Sequence, residues 1–432
     1  MENSVWLIGY LTTKELNLFK IMKIVHVATT ESGGAGIGLL NLHKALLACG
    51  VESVVLVRNK TLADDTIWQM QPNFHLFRWS KSRLIRIVQK LLRKRGKCKT
   101  VVERWDEAIF KASAGHQSIS FTSPFSNFDI VEHPLVKEAD VVHLHWVGNF
   151  LDYQSFFDKI NKPVVWTLRD ENPGLGGFHL KSDKNDFGNY YGEIESFFLK
   201  AKRDALLLKE SVFLVALSDV MIGFCNQVDY LSNKKVVKIY NPIDSDSYCL
   251  VDKRIARKAL GIDDEVLTVS FVSVYLSEHL KGLSNLLSAL ELVERPVRIL
   301  CVGKNDYFTQ IKDGVICFGS VENTKLMSLI YSASDMFVNP TRQESFGKTT
   351  VEALMCGVPV VTTREGVAPE IINDSNGCII DDLDPQTIAD AIVKVSENEY
   401  NRVKMRESAK LLFDPFTIAN EHIKLYRECL GQ

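Results

Sequence analysis

Several patterns that define common protein classes are missing from this chain of 432 residues. There is no C-x-x-C pair, so a zinc site and a thioredoxin-like centre have no support. No apolar run reaches the ~18 residues that a membrane-spanning helix needs, and the longest, Leu267–Leu276, is interrupted by Thr268 and two serines. Low-complexity stretches and short-period repeats are also missing, which argues against a repeat architecture. We therefore expect an ordinary globular protein, with 46% apolar and 24% charged residues.

The beginning of the chain has no basic region followed by an apolar core, so we expect no secretory signal. We expect Met1–Ile21 to be a poorly ordered extension, and Met22, directly before the first strand, to be an alternative start. Nine cysteines stand singly in mostly apolar surroundings, and this odd count favours reduced, buried thiols. These features predict a cytoplasmic protein.

The charge is distributed unevenly along the chain. The formal net charge is −2, yet the segment Arg78–Lys99 holds ten Lys or Arg residues and no acid. Leu84, Ile87, Val88 and Leu91 share one face of a helix there, with basic residues on much of the remainder. Such a helix is typical of a peripheral element on an anionic membrane surface, although a solvated helix packed on its own domain explains the pattern equally well. We expect no nucleic-acid partner.

Strand-like and helix-like segments alternate along the chain in two blocks. Their apolar runs are near-continuous, which is typical of parallel strands buried on both faces. The predicted strands of the first block are Lys23–Ala28, Ser53–Val57, Ser118–Thr122, Val141–Leu144, Val164–Thr167 and Val212–Ala216. Those of the second block are Leu267–Ser273, Val297–Val302, Val315–Phe318, Asp335–Asn339 and Val358–Thr362. The predicted helices of the second block are Gly282–Val293, Lys325–Ser332, Thr349–Cys356 and Pro385–Glu397.

Repeated β-α units imply parallel sheets with right-handed crossovers. Two such blocks predict an α/β protein with two Rossmann-like, doubly wound domains. We place the first domain at residues 22–230 and the second at residues 231–415. The join lies around Val220 to Ile243, where Asn241-Pro242 breaks regular structure.

A glycine-rich run, Glu31-Ser32-Gly33-Gly34-Ala35-Gly36-Ile37-Gly38, joins the first strand to the first helix. Clustered glycines let backbone N–H groups approach an anion at a helix N-terminus. A nicotinamide site needs a different glycine spacing and an acid about 20 residues on, whereas the second strand here ends at Arg58. The run therefore argues against a dinucleotide-dependent oxidoreductase. It fits a ligand contact through Gly33 and Gly34, or a tight turn with close helix packing.

A second run, from residue 339 to residue 352, also leads from a strand into a helix. Glu344 falls on the loop at the carboxyl end of the strand, where open α/β sheets bind ligands. The turn Ser345–Lys348 offers backbone N–H groups at the start of a helix that continues through Thr349, an arrangement suited to a diphosphate. Glu352 can accept hydrogen bonds from paired sugar hydroxyls. Pairing of both acids with the helix dipole explains Glu344 poorly, because Ser345 already serves as a cap.

Polar side chains follow three other strands. Lys281, before Gly282, comes after the first strand of the second block and can offset diphosphate charge as a point cation. In the first block His145 follows one strand, and Arg169 and Asp170 follow the next, with His179 further along. A lone strand histidine is more often a satisfied core residue, but several polar groups at consecutive strand ends favour a site. We predict that these groups line a cleft opposite the nucleotide.

These residues together resemble glycosyltransferase family 4, the GT-B group 1 glycosyltransferases. Glu344 and Glu352, separated by seven residues inside Glu-Ser-Phe-Gly…Glu-Ala-Leu, look like the family signature. Other segments fall in the family's order: Gly33-Gly34-Ala35, Ala216-Leu217-Ser218-Asp219, Tyr240-Asn241-Pro242-Ile243-Asp244, Lys281-Gly282, Gly319-Ser320-Val321 and Ala368-Pro369-Glu370-Ile371-Ile372. The run before His179 resembles a subgroup that builds bacterial exopolysaccharide or O-antigen.

The resemblance implies a GT-B fold with an interdomain cleft, in which the final helix, within residues 416–432, packs back on the first domain. It implies that the second domain holds a nucleotide-diphosphate sugar and the first an acceptor, a glycan or a lipid-diphosphate-linked glycan. A hexose would be transferred with retention of configuration, with no cofactor and no essential metal. The protein would then work in the cytoplasm or at the inner face of the cytoplasmic membrane.

The family's functional residues carry over onto matching positions. Glu344 would contact the donor sugar, Phe346, Gly347 and Lys348 the sugar and diphosphate through backbone groups, Glu352 the ribose, and Lys281 the diphosphate. Electrostatic stabilisation of the departing diphosphate would then supply the chemistry without a protein base.

Two positions depart from the family pattern. Arg169 stands where the family usually has a histidine near the reacting sugar. The arginine that usually precedes the lysine by five or six residues is replaced by Leu276 or Tyr275, and His279 or Arg342 are candidate substitutes. A degenerate GT-B protein that binds a nucleotide or a partner without transferring sugar therefore stays an alternative.

Overall fold

The computed structural model describes residues 22–72, 99–113, 119–262, 266–308 and 313–432. The predicted extension Met1–Ile21 lies outside these residues, and so does the basic segment Arg78–Lys99 except for its last residue. The described residues form two parallel β-sheets flanked by helices. The predicted fold class is therefore confirmed.

The first sheet has seven parallel strands in the order β3-β2-β1-β4-β5-β6-β7. The strands are β1 Lys23–Thr30, β2 Glu52–Asn59, β3 Ile67–Gln69, β4 Val141–Leu144, β5 Val164–Thr167, β6 Val212–Ala216 and β7 Lys235–Lys238. The accompanying helices are α1 Gly33–Ala48, α2 Val101–Ala112, α3 Pro134–Glu138, α4 Tyr153–Lys159, α5 Lys181–Leu207, α6 Asp219–Gln227 and α7 Asp229–Ser232. Winding starts at β1 and proceeds to both edges, as in a doubly wound sheet.

The second sheet has six parallel strands in the order β10-β9-β8-β11-β12-β13. The strands are β8 Leu267–Tyr275, β9 Val297–Lys304, β10 Val315–Cys317, β11 Met336–Asn339, β12 Val360–Thr362 and β13 Gly377–Ile379. The helices are α8 Lys253–Leu260, α9 Leu283–Leu290, α10 Thr324–Ala333, α11 Lys348–Met355, α12 Ala368–Ile371, α13 Pro385–Glu397, α14 Arg402–Leu412 and α15 Pro415–Cys429. Short 3₁₀ turns lie at Ile130–Glu132, Asn172–Gly174 and His279–Lys281.

Local sequence sets several of these boundaries. In β4, β5 and β11 every residue is buried, as expected for strands covered on both faces. Asp384 caps α13 by accepting the N–H of Gln386, with Pro385 in the first turn. Gly261 ends α8 in the left-handed region at φ 67°.

The last helix, α15, packs on the first sheet. Its residues Ile418 and Tyr426 share an apolar cluster with Leu42 of α1 and Val141 of β4. The phenol of Tyr426 lies 2.7 Å from Nδ1 of His143, so a polar contact adds to the apolar one. The chain therefore crosses back to the first sheet after completing the second.

Short edge strands escape prediction from the sequence. The sequence pattern does not indicate β3, β7 or β13, which lie at sheet edges and have only three or four residues each. Segments this short show too little alternation of apolar and polar residues to be predicted as strands. The predicted strand at Ser118–Thr122 is wrong for its described residues. Phe121 makes only an isolated antiparallel bridge to Phe178, since this segment runs over the loop that follows β5.

Candidate active site

The predicted site residues lie at the carboxyl ends of strands in both sheets, and contacts join the two ends. The amide N–H of Ser182, at the start of α5, donates to Oε1 of Gln343 at 3.0 Å. The hydroxyl of Ser218 donates to the carbonyl oxygen of Ser345 at 3.1 Å. Arg342 Nη1 lies 3.5 Å from Oδ2 of Asp186. The loop after β11 therefore faces the start of α5 and the loop after β6 across an interdomain cleft.

Lys281 and Glu344 form an ion pair in this cleft, with 21% and 17% of their side-chain surfaces exposed. The two loops that carry them are joined, because Thr341 Oγ1 donates to the carbonyl of Leu280 at 3.1 Å. Burial alone lowers the pKa of Lys281, but the attraction of Glu344 outweighs it and raises that pKa. The site therefore holds one fixed ammonium and one carboxylate that both reach solvent.

The turn after Glu344 is fixed from behind. Gly347 adopts φ 84° at the start of α11, a conformation that favours glycine. Phe346 is buried, and its ring meets the Phe413 ring edge-on at 5.7 Å. The carbonyl of Phe346 accepts the N–H of Val367 at 2.9 Å. The run Ser345–Thr349 thus places the first N–H groups of α11, which lack intrahelical partners, at the cleft.

Glu352 lies one turn after Lys348 in α11 and is buried. Both of its carboxylate oxygens accept hydrogen bonds. Tyr248 donates at 2.5 Å and Tyr331 at 3.1 Å, and Lys348 forms an ion pair with the same carboxylate. Burial, together with this negative charge, raises the pKa of both phenols. A ribose hydroxyl would use the remaining lone pairs of Glu352 or displace Lys348.

The glycine-rich run serves two purposes. A Cβ on Gly36 would lie 2.1 Å from the backbone carbon of Glu31, and one on Gly38 would lie 2.6 Å from Arg169 Nη1. These two glycines therefore provide close packing. A Cβ on Gly33 or Gly34 would meet nothing within 4 Å, so this pair, at the carboxyl end of β1, is open to a ligand.

Arg169 lies partly buried at the end of β5 and is fixed by neutral groups. Nη1 donates to Oδ1 of Asn241, and Nη2 lies 3.0 Å from Nδ1 of His145. Within the described residues no carboxylate pairs with it. Burial lowers the pKa of Arg169 to about 9, so the guanidinium stays charged at neutral pH. A cation held by neutral partners in a cleft is suited to an anionic ligand.

Asp170 and His179 meet in the same loop. Nδ1 of His179 lies 2.5 Å from Oδ2 of Asp170, and the indole N–H of Trp146 donates to the same oxygen at 2.6 Å. Nε2 of His179 lies 2.9 Å from the hydroxyl of Thr122. The carboxylate therefore orients both rings, and 14% of the Asp170 side chain is exposed, against 6% of the His179 side chain.

His145 belongs to a buried row of histidines rather than to the cleft surface. Its Nε2 lies 2.9 Å from Nδ1 of His26, and His143 stacks beside it with ring centroids 4.2 Å apart. Among the described residues these three histidines are close enough to hold a metal ion. However, His143 contacts Tyr426 and Thr167 through its two nitrogens, and His145 contacts the cation of Arg169.

The sequence did not indicate two residues that join the domains here. Glu171 accepts the N–H of Lys181 at 2.5 Å and a hydrogen bond from the Gln343 amide. Burial raises the pKa of Glu171. Both residues adjoin predicted site positions, but which neighbours face the cleft depends on the loop conformation.

The two candidate substitutes for the missing arginine both face the cleft. His279 lies 3.8 Å from Asp183 across the cleft, and Arg342 lies beside Asp186.

Comparison with known proteins points to one class. Residues 267–398 match the family described as Glycosyl transferases group 1. The D-inositol 3-phosphate glycosyltransferase of Segniliparus rotundus is 24% identical over 375 residues, which cover 83% of this chain and 75% of that protein. The N-acetyl-alpha-D-glucosaminyl L-malate synthase of Bacillus anthracis is 25% identical over 215 residues, 47% of this chain and 55% of that protein.

Two solved structures illustrate the likeness in fold. Sucrose-phosphate synthase from Thermosynechococcus elongatus superposes with a TM-score of 0.62 at 17% identity, covering 95% of this chain and 99% of that one. HepE of Anabaena, solved in complex with UDP-glucose, gives a TM-score of 0.55 at 18% identity, with coverage of 95% and 99%. At such identities the likeness concerns the fold.

Two Rossmann-like sheets with charged loops facing across a cleft define a GT-B protein. Residues 267–398 match the group 1 glycosyltransferase family, and the chain as a whole is similar in sequence to proteins named glycosyltransferases and in fold to GT-B structures. The predicted resemblance to group 1 glycosyltransferases is confirmed in the second sheet. None of the helices in the described ranges is long and apolar enough to cross a membrane.

Proposed function

We propose that this protein transfers a hexose from a nucleoside diphosphate sugar to a glycan or lipid-linked glycan, with retention of configuration, in the synthesis of cell-surface polysaccharide. The observation that carries the proposal is the Lys281–Glu344 ion pair, partly exposed in the cleft beside the start of α11. A diphosphate needs a cation and N–H donors, and a sugar needs hydrogen-bond acceptors. Lys281, the start of α11 and Glu344 supply the cation, the N–H donors and the acceptor.

On the donor side, Lys281 and the N–H groups at Gly347 and Lys348 would bind the diphosphate. Glu344 would accept hydrogen bonds from the sugar, and Glu352 from the ribose. Binding of the diphosphate gives Lys281 a second anion, which frees Glu344 to turn toward the sugar. That HepE contains UDP-glucose in a similar fold supports a uridine or other nucleoside diphosphate sugar as the donor class.

On the acceptor side, Arg169 and the Asp170–His179 pair would face the incoming hydroxyl. The bond between the anomeric carbon and the diphosphate oxygen breaks, the acceptor oxygen bonds to that carbon, and the acceptor proton leaves with the diphosphate. Cations fixed near the departing oxygens stabilise this charge without reorganising. Two relatives are named for acceptors with phosphate or carboxylate groups, which supports an anionic acceptor beside Arg169.

The test combines donor binding with slow hydrolysis. A panel of UDP- and GDP-sugars is screened by thermal shift, because ligand at 100 times its Kd stabilises a protein by about 2.7 kcal/mol. The sugar that binds is then incubated with the enzyme, and free sugar is measured. Binding with release that Glu344→Gln abolishes supports transfer. Binding without release supports the degenerate GT-B alternative, and no shift with any donor contradicts the proposal.

A further inference from the structure

The loop that follows β5 is buried throughout residues 171–179, although it contains backbone and side-chain polar groups that must find partners. Hydrogen bonds within the loop join its first residues to each other and to its last residue. The N–H of Asn172 donates to Oδ1 of Asp170 at 3.0 Å, and the N–H of Glu171 donates to the carbonyl of His179 at 3.0 Å. The position of Asp170 and His179 therefore depends on how the middle of this loop is held.

Glu195 of α5 holds the first part of that middle segment. Its Oε1 accepts the N–H of Gly176 at 2.9 Å, and its Oε2 accepts the N–H of Gly177 at 2.6 Å. A Cβ on Gly176 would lie 2.1 Å from the backbone oxygen of Glu195, and one on Gly177 would lie 2.2 Å from the Phe121 ring. Gly176 therefore lets the backbone approach the buried carboxylate, and Gly177 leaves room for the Phe121 ring.

Lys202 of the same helix holds the loop at Asn172. Only 1% of Lys202 is exposed, and its ammonium donates to both the carbonyl oxygen and Oδ1 of Asn172, each at 2.8 Å. The amide of Asn172 in turn donates to the carbonyl of Phe178 at 2.8 Å. The Lys202 ammonium also lies 5.2 Å from the centre of the Tyr153 ring.

Glu195 and Lys202 are seven residues apart, so they lie on one face of α5, two turns from each other. Both follow the break at Gly192, where φ is 11° and ψ is −92°. Burying two ions is costly unless each makes several hydrogen bonds. The loop supplies such bonds to both ions, and the partly exposed Lys184 also pairs with Oε1 of Glu195 at 3.1 Å. A helix that only supported the sheet would be better packed with apolar residues at both positions.

We infer that Glu195 and Lys202 are positioning residues for the acceptor side of the site, which hold the loop so that Asp170 and His179 face the cleft. This inference rests on the proposed function for its consequence in catalysis. Neither residue contacts the cleft itself. Their effect passes through Gly176, Gly177 and Asn172.

The experiment uses two near-isosteric variants, Lys202→Met and Glu195→Gln, and reads the loop directly. In protein labelled with ¹⁵N-tryptophan, the indole resonance of Trp146, assigned with Trp146→Phe, reports its hydrogen bond to Asp170. We expect this resonance to shift toward that of a free indole in both variants. Exposed neighbours on the same helix provide matched controls, Lys200→Met and Glu193→Gln, which should leave the resonance unchanged.

Kinetics supply the second readout, with the nucleotide sugar that thermal shift identifies and water as the acceptor. In both variants we expect kcat for hydrolysis to fall by about 10- to 100-fold, the cost of a misplaced group, while the donor KM stays within about twofold. An unchanged donor-induced thermal shift would show that the second domain remains folded. Wild-type kcat and an unshifted Trp146 resonance would overturn the inference, as would equal loss of donor binding and hydrolysis.

The two proposals fail in different ways. If the wild-type protein binds no nucleotide sugar, the proposed function is wrong, but the Trp146 resonance still tests whether Glu195 and Lys202 position the loop. If the wild-type protein hydrolyses a donor and the variants match it in every readout, only the positioning inference is wrong.

Discussion

Lys281 and Glu344 come from loops after two neighbouring strands, β8 and β11, and form an ion pair at the mouth of the cleft. We expect Lys281→Ala and Glu344→Gln to leave the fold intact and to reduce transfer by one to several orders of magnitude. A lost charge-stabilising group costs roughly 2–4 kcal/mol in the transition state. Steady-state kinetics measure this, with Lys394→Ala on the exposed side of α13 as a control. Wild-type turnover in both variants would remove these residues from the site.

Arg169 provides the second prediction. A permanent cation does not shuttle protons near neutral pH, whereas a histidine does. Arg169 therefore acts electrostatically, and we expect Arg169→Ala to lose activity while Arg169→His retains part of it. The comparison is made on kcat/KM at pH 6 and pH 8, since only a protonated histidine replaces the charge. Unchanged kinetics in the alanine variant would mean that the end of β5 is outside the site.

Glu352 should affect stability as well as activity, because both of its oxygens accept hydrogen bonds from buried groups. We expect Glu352→Gln to lower the free energy of unfolding by about 1–3 kcal/mol, the cost of an unsatisfied buried donor. Glu344→Gln, at a partly exposed site, should change it far less. Urea denaturation of both variants measures the difference, and equal stability would contradict the described environment of Glu352.

Buried histidines predict a stability that depends on pH. Burial lowers the pKa of His422 to about 4 and moves the pKa values of His26, His143 and His145 well below 6.5. Below pH 6.5 the unfolded chain binds protons that the folded chain excludes, so stability falls as the pH falls from 6.5 toward 4. For His422 alone the full effect is about 3 kcal/mol.

Urea denaturation between pH 7 and pH 5 measures this slope. His422→Gln, which does not titrate, should show a shallower decline than the wild type. His279→Gln, at a partly exposed position, serves as the control for losing one histidine. A slope that His422→Gln leaves unchanged would mean that this imidazole binds a proton as readily in the folded chain as in the unfolded chain.

The basic segment Arg78–Lys99, which lies outside the described residues apart from Lys99, predicts binding to membranes that contain anionic lipid. Each cation near such a surface contributes up to ~1 kcal/mol, and salt screens it. We expect flotation with anionic vesicles at low salt and release at high salt. Changing Arg86, Lys90, Arg93 and Lys94 to Glu should abolish it. Binding that survives these changes would refute the membrane hypothesis and leave the transferase proposal intact.

Much of the fold follows from local sequence. The largely apolar runs Val141–Leu144, Val164–Thr167 and Val212–Ala216 coincide with β4, β5 and β6, because a strand buried on both faces has few polar positions. Pro385–Glu397 coincides with α13, since capping residues set its start. In a doubly wound sheet the loops at strand ends meet on one edge, so Glu344 and Lys281 could be placed at one site from their order alone.

Tertiary structure decided what the local pattern does not encode. Glu195 and Lys202 look like surface charges of a helix, yet both are buried, and both bind the loop after β5. In the glycine-rich run, the contact of Gly38 with Arg169 distinguishes a glycine needed for close packing from Gly33 and Gly34, which are open. The sequence pattern alone does not show this difference. His143 and Tyr426 are 283 positions apart, yet their side chains touch. Periodicity reports which face of an element is buried, whereas the partner of a polar group depends on residues far away in the chain.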